Sequence, residues 1–346
     1  MRTFNTHPRM RALQVQNQDF TAEIQEYLTL DDISSKSLLR IQRFSQTTAG
    51  SFNNWQQYAE EECDVGFDRY TQLPFFLAVW VDEKAEQARL MLFSDHYMSD
   101  GYSGMVVFND ILEQVTSLAT QNPSSEDNQV QEFPLRPSFY DMWLSKKPLS
   151  KALMKGIISL LGKAIYRSEM KKFHPVLPAR ADHEGVNLKT TKFWDLARRE
   201  KREIDSKIRQ TMLLAAVPII LDQRINAKIQ PSFAKALNIR HSQTSDANLS
   251  NVGRYPFAKE HSLSPNGDEQ SVLKVKTLHV YNPIPHLGPS AILWVSSVDS
   301  FCYSMGHKCE DDSAKALFAA FVAVCENIGS IAAEDTMADV LEQLKL

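Results

Sequence analysis

The sequence predicts a mixed α/β (α+β) chain in two halves, and three observations carry that expectation. Two apolar, strand-like runs, LPFFLAVWV (73–81) and ARLMLFS (88–94), are separated only by the polar stretch 82–87. That is the pattern of a hairpin entering a buried sheet. Directly after it, Met105, Val106, Phe108, Ile111, Leu112 and Val115 recur at helical spacing, so a helix follows, with Ser103 placed to cap it. Near the C-terminus a further buried strand, AILWVSSVD (291–299), precedes a helix from about Asp312 to Ile328, with Ala316, Phe318, Phe321, Val322 and Cys325 as its apolar residues.

Between these anchors the chain changes character. Residues 120–137 are polar and contain prolines, which predicts a surface linker. Residues 148–172 form a basic amphipathic segment, Leu153, Ile157, Leu161, Ala164 and Ile165 on one side and Lys151, Lys155, Lys163 and Arg167 on the other. This pattern suits a helix lying at an anionic membrane surface, and equally an ordinary helix packed on a domain. A helix over 191–208 carries FWDLARR near its start; an apolar run, 212–221, is interrupted by Pro218, and 237–271 is polar. The expected organisation is an N-terminal half over 1–145, a linker over 146–190 and a C-terminal half over 191–346.

Composition narrows the function classes. At 346 residues with 43% hydrophobic and 23% charged residues, the chain can bury a sizeable core. Lys and Arg number 38 against 42 Asp and Glu, a net charge of −4, so there is no basic footprint for nucleic acid. The four cysteines, Cys63, Cys302, Cys309 and Cys325, form no C-x-x-C pair, and Met1–Arg11 is polar and basic. Reduced thiols in a cytoplasmic protein are expected. Cys302, His307 and Cys309 lack the further ligand pair a zinc site needs, so no metal is expected. No glycine-rich phosphate loop and no G-x-S-x-G is present.

The most informative residues lie in DHYMSDGYSG (95–104), on the loop between the second strand of the hairpin and the helix. Polar side chains there are exposed on a rigid frame. His96 supplies an imidazole able to accept a proton near neutral pH. Asp100 can lock the loop, and Gly101 permits a backbone shape that other residues resist. Taken alone, H-x-x-x-D-G also describes an ordinary loop histidine followed by a turn.

The strand, H-x-x-x-D-G and helix together resemble the chloramphenicol-acetyltransferase-like superfamily, which includes alcohol acyltransferases and the condensation domains of peptide synthetases. HPRMRA (7–12) is similar to the family's upstream segment and FDRYTQLPFFLAVWV (67–81) to its approach to the motif. FWDLARR (193–199) and LSNVGR (249–254) look like second-half segments of the alcohol acyltransferase branch. The resemblance implies a two-subdomain fold with a tunnel between halves and His96 midway along it. His96 would deprotonate an alcohol or amine acceptor as it attacks an acyl thioester, with acyl-coenzyme A as co-substrate and no tightly bound cofactor. It also implies that Asp100 pairs with Arg11 in a structural role. By position, Asn251 or Ser250 would donate to the oxyanion, the alternative being a simple turn.

The chain departs from the family's pattern in three ways. Asp95 stands where many members carry a first histidine, and the D-F-G-W-G motif of the plant branch is absent. Only Met1–Thr6 precedes the upstream segment, and ARADHEGVNLK (179–189) leads straight to FWDLARR, so the fold is expected to be shortened at the N-terminus and at the start of the second half. Two alternatives stay open: condensation on carrier-protein thioesters, and a catalytically inactive member serving as an interaction or scaffold protein.

Overall fold

The computed structural model describes residues 1–16, 21–44, 52–96, 99–120, 130–135, 187–202, 247–264, 271–284 and 289–346. The basic amphipathic segment 148–172 and the apolar run 212–221 lie outside them, as does most of the 146–190 linker. The chain divides into two compact units that are not sequential halves. Met1–Ser138, Asn251–Pro283 and Val295–Cys302 form the first; Phe139–Ser250, Ile284–Trp294 and Tyr303–Leu346 form the second. Stretches from the last hundred residues thus belong to the same unit as the N-terminal part.

The first unit opens with helix α1 (Arg2–Thr6) and a 3-10 turn over Pro8–Arg11, then short strands β1 (Ala12–Gln14) and β2 (Ala22–Ile24), which pair antiparallel. The Asn5 amide ties α1 down, donating to the Leu28 carbonyl at 2.9 Å and accepting from its N–H at 2.7 Å. Helix α2 (Leu30–Ser35) starts with a capping box between Thr29 and Asp32. Strand β3 (Leu39–Phe44), helix α3 (Trp55–Val65), strand β4 (Phe75–Asp82), strand β5 (Gln87–Ser94) and helix α4 (Gly101–Thr120) follow.

The expected hairpin is present. β4 and β5 pair antiparallel over their full lengths, from Phe75 opposite Ser94 to Asp82 opposite Gln87. Its turn is set by Asp82, whose carboxylate accepts the N–H groups of Lys84 and Ala85. The sheet has a third member, β3, parallel to β4, in the order β3-β4-β5. Both faces are covered, which explains the near-continuous apolar run of β4. Phe75 and Leu92 turn to one face and pack with Phe4, Leu38, Val107 and Ile111; Phe76, Ala78 and Phe93 turn to the other and pack with Ala59 and Tyr58 of α3. Phe44, Phe52 and Trp80 extend that second cluster.

Helix α4 begins four residues before Met105, where the apolar period starts. Its buried side chains include Met105 and Val107, whereas Val115 is exposed. Met105 reaches residues that are distant in sequence, Tyr255, Leu278 and Val298, with Val252 and Val280 packed beside them. Strand β6 (Ala247–Arg254) carries the LSNVGR segment, and strands β7 (Glu260–Ser262) and β8 (Val272–Lys274) pair antiparallel. Strands β9 (Ala291–Ser297) and β10 (Phe301–His307) join β6 in a sheet of order β10-β9-β6.

In the second unit, residues 193–202 are helical as expected, and the C-terminal helix α5 spans Asp311–Asn327. A last helix, α6 (Met337–Leu344), opens with a capping box between Thr336 and Asp339. The FWDLARR segment packs against the chain just before α6. Trp194 donates its indole N–H to the Ile331 carbonyl at 3.0 Å, Phe193 N–H bonds to the Asp335 carbonyl at 2.9 Å, and Lys192 bridges Thr336. Among the described residues, no helix is long and apolar enough to cross a membrane.

Candidate active site

The His96 loop is held at both ends. At its start, Asp95 leaves β5 with its N–H bonded to the Pro74 carbonyl at 2.7 Å. Its carboxylate receives a bidentate guanidinium from Arg69, at 2.5 Å from Nε and 3.2 Å from Nη2. Across the loop the hydroxyls of Ser94 and Ser99 meet at 2.6 Å. At its end, Asp100 caps α4: its carboxylate accepts the N–H of Ser103 at 2.8 Å and the Ser103 hydroxyl at 2.7 Å. The cap is thus Asp100, and Ser103 is the residue being capped. A carboxylate also suits the positive end of the helix dipole, where Ser103 at the third helical position still offers an unpaired N–H.

His96 is exposed on this loop, and its Nδ1 lies 2.7 Å from the carbonyl oxygen of Ser99. A carbonyl only accepts, so Nδ1 carries the proton in that bond. In the neutral ring Nε2 then holds the lone pair, which is the form a general base requires. Burial pushes the Asp100 carboxyl up, but the hydrogen bonds from Ser103 and the neighbouring imidazole of His96 outweigh it and leave the carboxyl below its ordinary value. Asp100 is therefore ionised at neutral pH.

The expected pairing of Asp100 with Arg11 is not made. Arg11 is buried, and its guanidinium donates to the Gln25 carbonyl and to Glu132 at 2.5 Å, while stacking over the Tyr27 ring at 4.6 Å. Asp100 is occupied by the local N-terminus of its own helix, which lies only three residues away. The upstream segment reaches α4 through another residue: His7 Nε2 sits 3.5 Å from the Asp110 carboxylate.

The loop motif and LSNVGR do come together, through Val252. A Cβ built on Gly101 would lie 2.9 Å from Val252 Cγ1 and 3.7 Å from Val280 Cγ1, so any side chain there would force Val252 to shift. Asn251 is exposed, and its side-chain Oδ1 accepts the Gly253 N–H at 2.9 Å, with Gly253 at φ +89°. This is a local side-chain-to-backbone bond within β6 that uses the acceptor half of the amide and leaves the Nδ2 donor out of it. Ser250 belongs to the second unit in the division given above, whereas Asn251 belongs with His96 in the first.

Arg69 is the residue that sequence reasoning missed. It lies inside the quoted FDRYTQLP segment, where Asp68 shapes a turn by accepting from Tyr70 N–H and the Thr71 hydroxyl. The available signal was an arginine shortly before a buried strand whose hairpin partner leads directly into Asp95. Described residues of the first unit line a small cavity and a groove. The cavity, of about 40 Å³ and bordered by Phe75, Leu92, Ser94, Ser99 and Gly104, is apolar and too small for an acyl chain. The other is an open groove of about 810 Å³ beside Arg11, Tyr27, Glu132 and Phe133, and His96 is not part of its lining. Among the described residues no group of His, Cys, Asp or Glu is arranged to hold a metal ion, and all four cysteines are free thiols.

No family model matches the sequence, and no curated protein matches it. Among solved structures, the chain is similar to the starter condensation domain of rhizomide synthetase RzmA, at 11% identity and a TM-score of 0.40. That match covers 97% of this chain and 86% of the other. Similarity at this level does not establish a common fold.

Proposed function

We propose that the chain is an acyltransferase that moves an acyl group from a thioester to a hydroxyl acceptor, with His96 as general base. The observation that carries this reading is the Nδ1 bond from His96 to the Ser99 carbonyl, which presents Nε2 as a proton acceptor on an exposed, pinned loop. In the proposed reaction, Nε2 takes the acceptor's O–H proton as its oxygen attacks the thioester carbonyl. The tetrahedral intermediate then collapses, the C–S bond breaks, and the imidazolium returns the proton to the departing thiolate. No acyl-enzyme is needed, so no Ser or Cys nucleophile is assigned.

The proposed oxyanion donor is Asn251 Nδ2, since the bond from the Gly253 N–H consumes only the amide oxygen. Asn251→Asp separates the two roles, because it keeps an acceptor for that bond and removes the donor. A fall in kcat of about a hundredfold with unchanged stability supports the donor assignment. Unchanged kcat leaves Asn251 with the Gly253 bond only.

The proposed donor is acyl-coenzyme A and the proposed acceptor an alcohol. The test is thiol release from acyl-coenzyme A and carrier-protein-bound thioesters, offered separately with a panel of alcohols and amines. Release from the first class supports this reading, and release from the second alone moves the donor to a carrier protein. A folded protein releasing thiol from neither is a non-catalytic member of the fold.

A further inference from the structure

The Arg69–Asp95 pair ties the start of the His96 loop to a segment 26 residues away. Asp95 keeps a side-chain exposure of 9% and Arg69 of 34%, so the acid is withdrawn from water while the guanidinium reaches it from the rim. Both residues are also anchored by their main chains. The Arg69 carbonyl accepts the Gln14 N–H at 2.8 Å, and the Asp95 N–H bonds to Pro74. A planar fork matching a carboxylate fixes direction as well as distance, which an ammonium group does not.

We propose that Arg69 is a positioning residue for His96: by holding Asp95 in a two-point grip, it sets the peptide from which the imidazole leaves the sheet. His96 is the next residue, and its useful tautomer depends on one hydrogen bond to a carbonyl three residues on. That bond closes only if the backbone at both ends of the loop stays put. Asp100 anchors the far end on α4 and Arg69 anchors the near end. Fixing a residue's backbone opposes a conformational entropy comparable with the net worth of a single hydrogen bond. The Ser99 bond therefore does not hold the ring by itself. Released, the ring is free to place its proton on Nε2, the nitrogen that must accept.

The kinetic arm of this inference rests on the acyl-transfer reading; the spectroscopic arm does not. Histidine-labelled wild type, Arg69→Lys and Asp95→Asn are compared by long-range imidazole ¹H–¹⁵N spectra, at a pH about two units above the ordinary histidine pKa. His96→Gln assigns the signal, and amide spectra report folding. The expected result is an Nδ1–H imidazole in wild type and a mixture of tautomers in both folded variants. Where the enzyme is active, kcat falls about tenfold with KM little changed. Arg43→Ala, which removes an exposed pair with Glu83, should alter neither measurement.

A wild-type imidazole pattern in the folded variants overturns the proposal, as does an Nε2–H imidazole in wild type. Loss of the fold in both variants also overturns it, since the pair is then a stability element without a selective effect on His96. An inactive wild type with the expected tautomer shift sinks the acyl-transfer reading and leaves the positioning role standing.

Discussion

Gly101 and Val252, 151 positions apart in the chain, approach so closely that a Cβ on the glycine would stand 2.9 Å from a valine methyl. The contact joins the first residue of α4 to β6. Val252 is β-branched and short, with little freedom to swing aside. Gly101→Ala should therefore destabilise by about 1–3 kcal/mol through overpacking. Val252→Ala should also destabilise, by creating space. Combined, the two should cost less than their sum, because the added methyl enters the vacated volume. Urea unfolding of the four proteins measures the coupling, and simple additivity would contradict the contact.

Asp100 gives a prediction in pH. Its carboxyl titrates below the ordinary carboxylate value in the folded chain. For a group whose folded pKa is depressed, the stabilisation is fully present above the unfolded value, near 3.9, and is lost as pH falls through the folded value. Asp100→Ala should cost about 1 kcal/mol near neutrality, and Asp100→Asn less, since asparagine caps nearly as well. Both should flatten the acid limb of the stability profile below about pH 4. An unchanged acid limb would exclude Asp100 as a contributor.

Arg11 and Asp100 should behave independently. Removing the buried guanidinium leaves the Gln25 carbonyl without that donor and takes a packed side chain out of the unit, while Glu132 stays exposed and keeps the Tyr27 hydroxyl, so Arg11→Ala should cost about 1–3 kcal/mol. With no shared partner, the double variant with Asp100→Ala should be additive to within about 0.5 kcal/mol. Coupling should appear instead between Arg11 and Glu132. Strong coupling with Asp100 would restore the pairing that the family resemblance implies.

Cys63 should be a slow thiol. Burial, reinforced by Asp64, Glu62 and Glu60, pushes its pKa up to about 11. Alkylation followed by peptide mapping should show Cys63 modified slowly at pH 8 and faster only as pH rises toward that value. Rapid labelling at pH 8 in the folded protein would contradict this environment.

Local pattern carried the parts of this molecule that were legible in advance. The β4–β5 hairpin and the body of α4 follow from apolar periodicity, and His96 from its place on the loop between them. The start of α4 was not legible, because Gly101 and Ser103 are poor helix formers and the cap lies in the side chain of Asp100. Strand β3 was missed because LRIQRF mixes exposed apolar and basic residues and pairs in parallel with a strand more than thirty positions on. The partners of Arg11 and Asp95 could not be read either. Glu132 and Arg69 are ordinary surface-type residues until folding brings them to 2.5 Å. The resemblance supplied a partner for Arg11, but the cap on α4 had already claimed it.

The most direct measurement is thiol release from the thioester panel by wild type and His96→Ala, with folding of the variant checked by amide spectra. The account predicts release that requires an acceptor and falls by at least about a hundredfold without the imidazole. Equal release by the two proteins would contradict His96 as the general base.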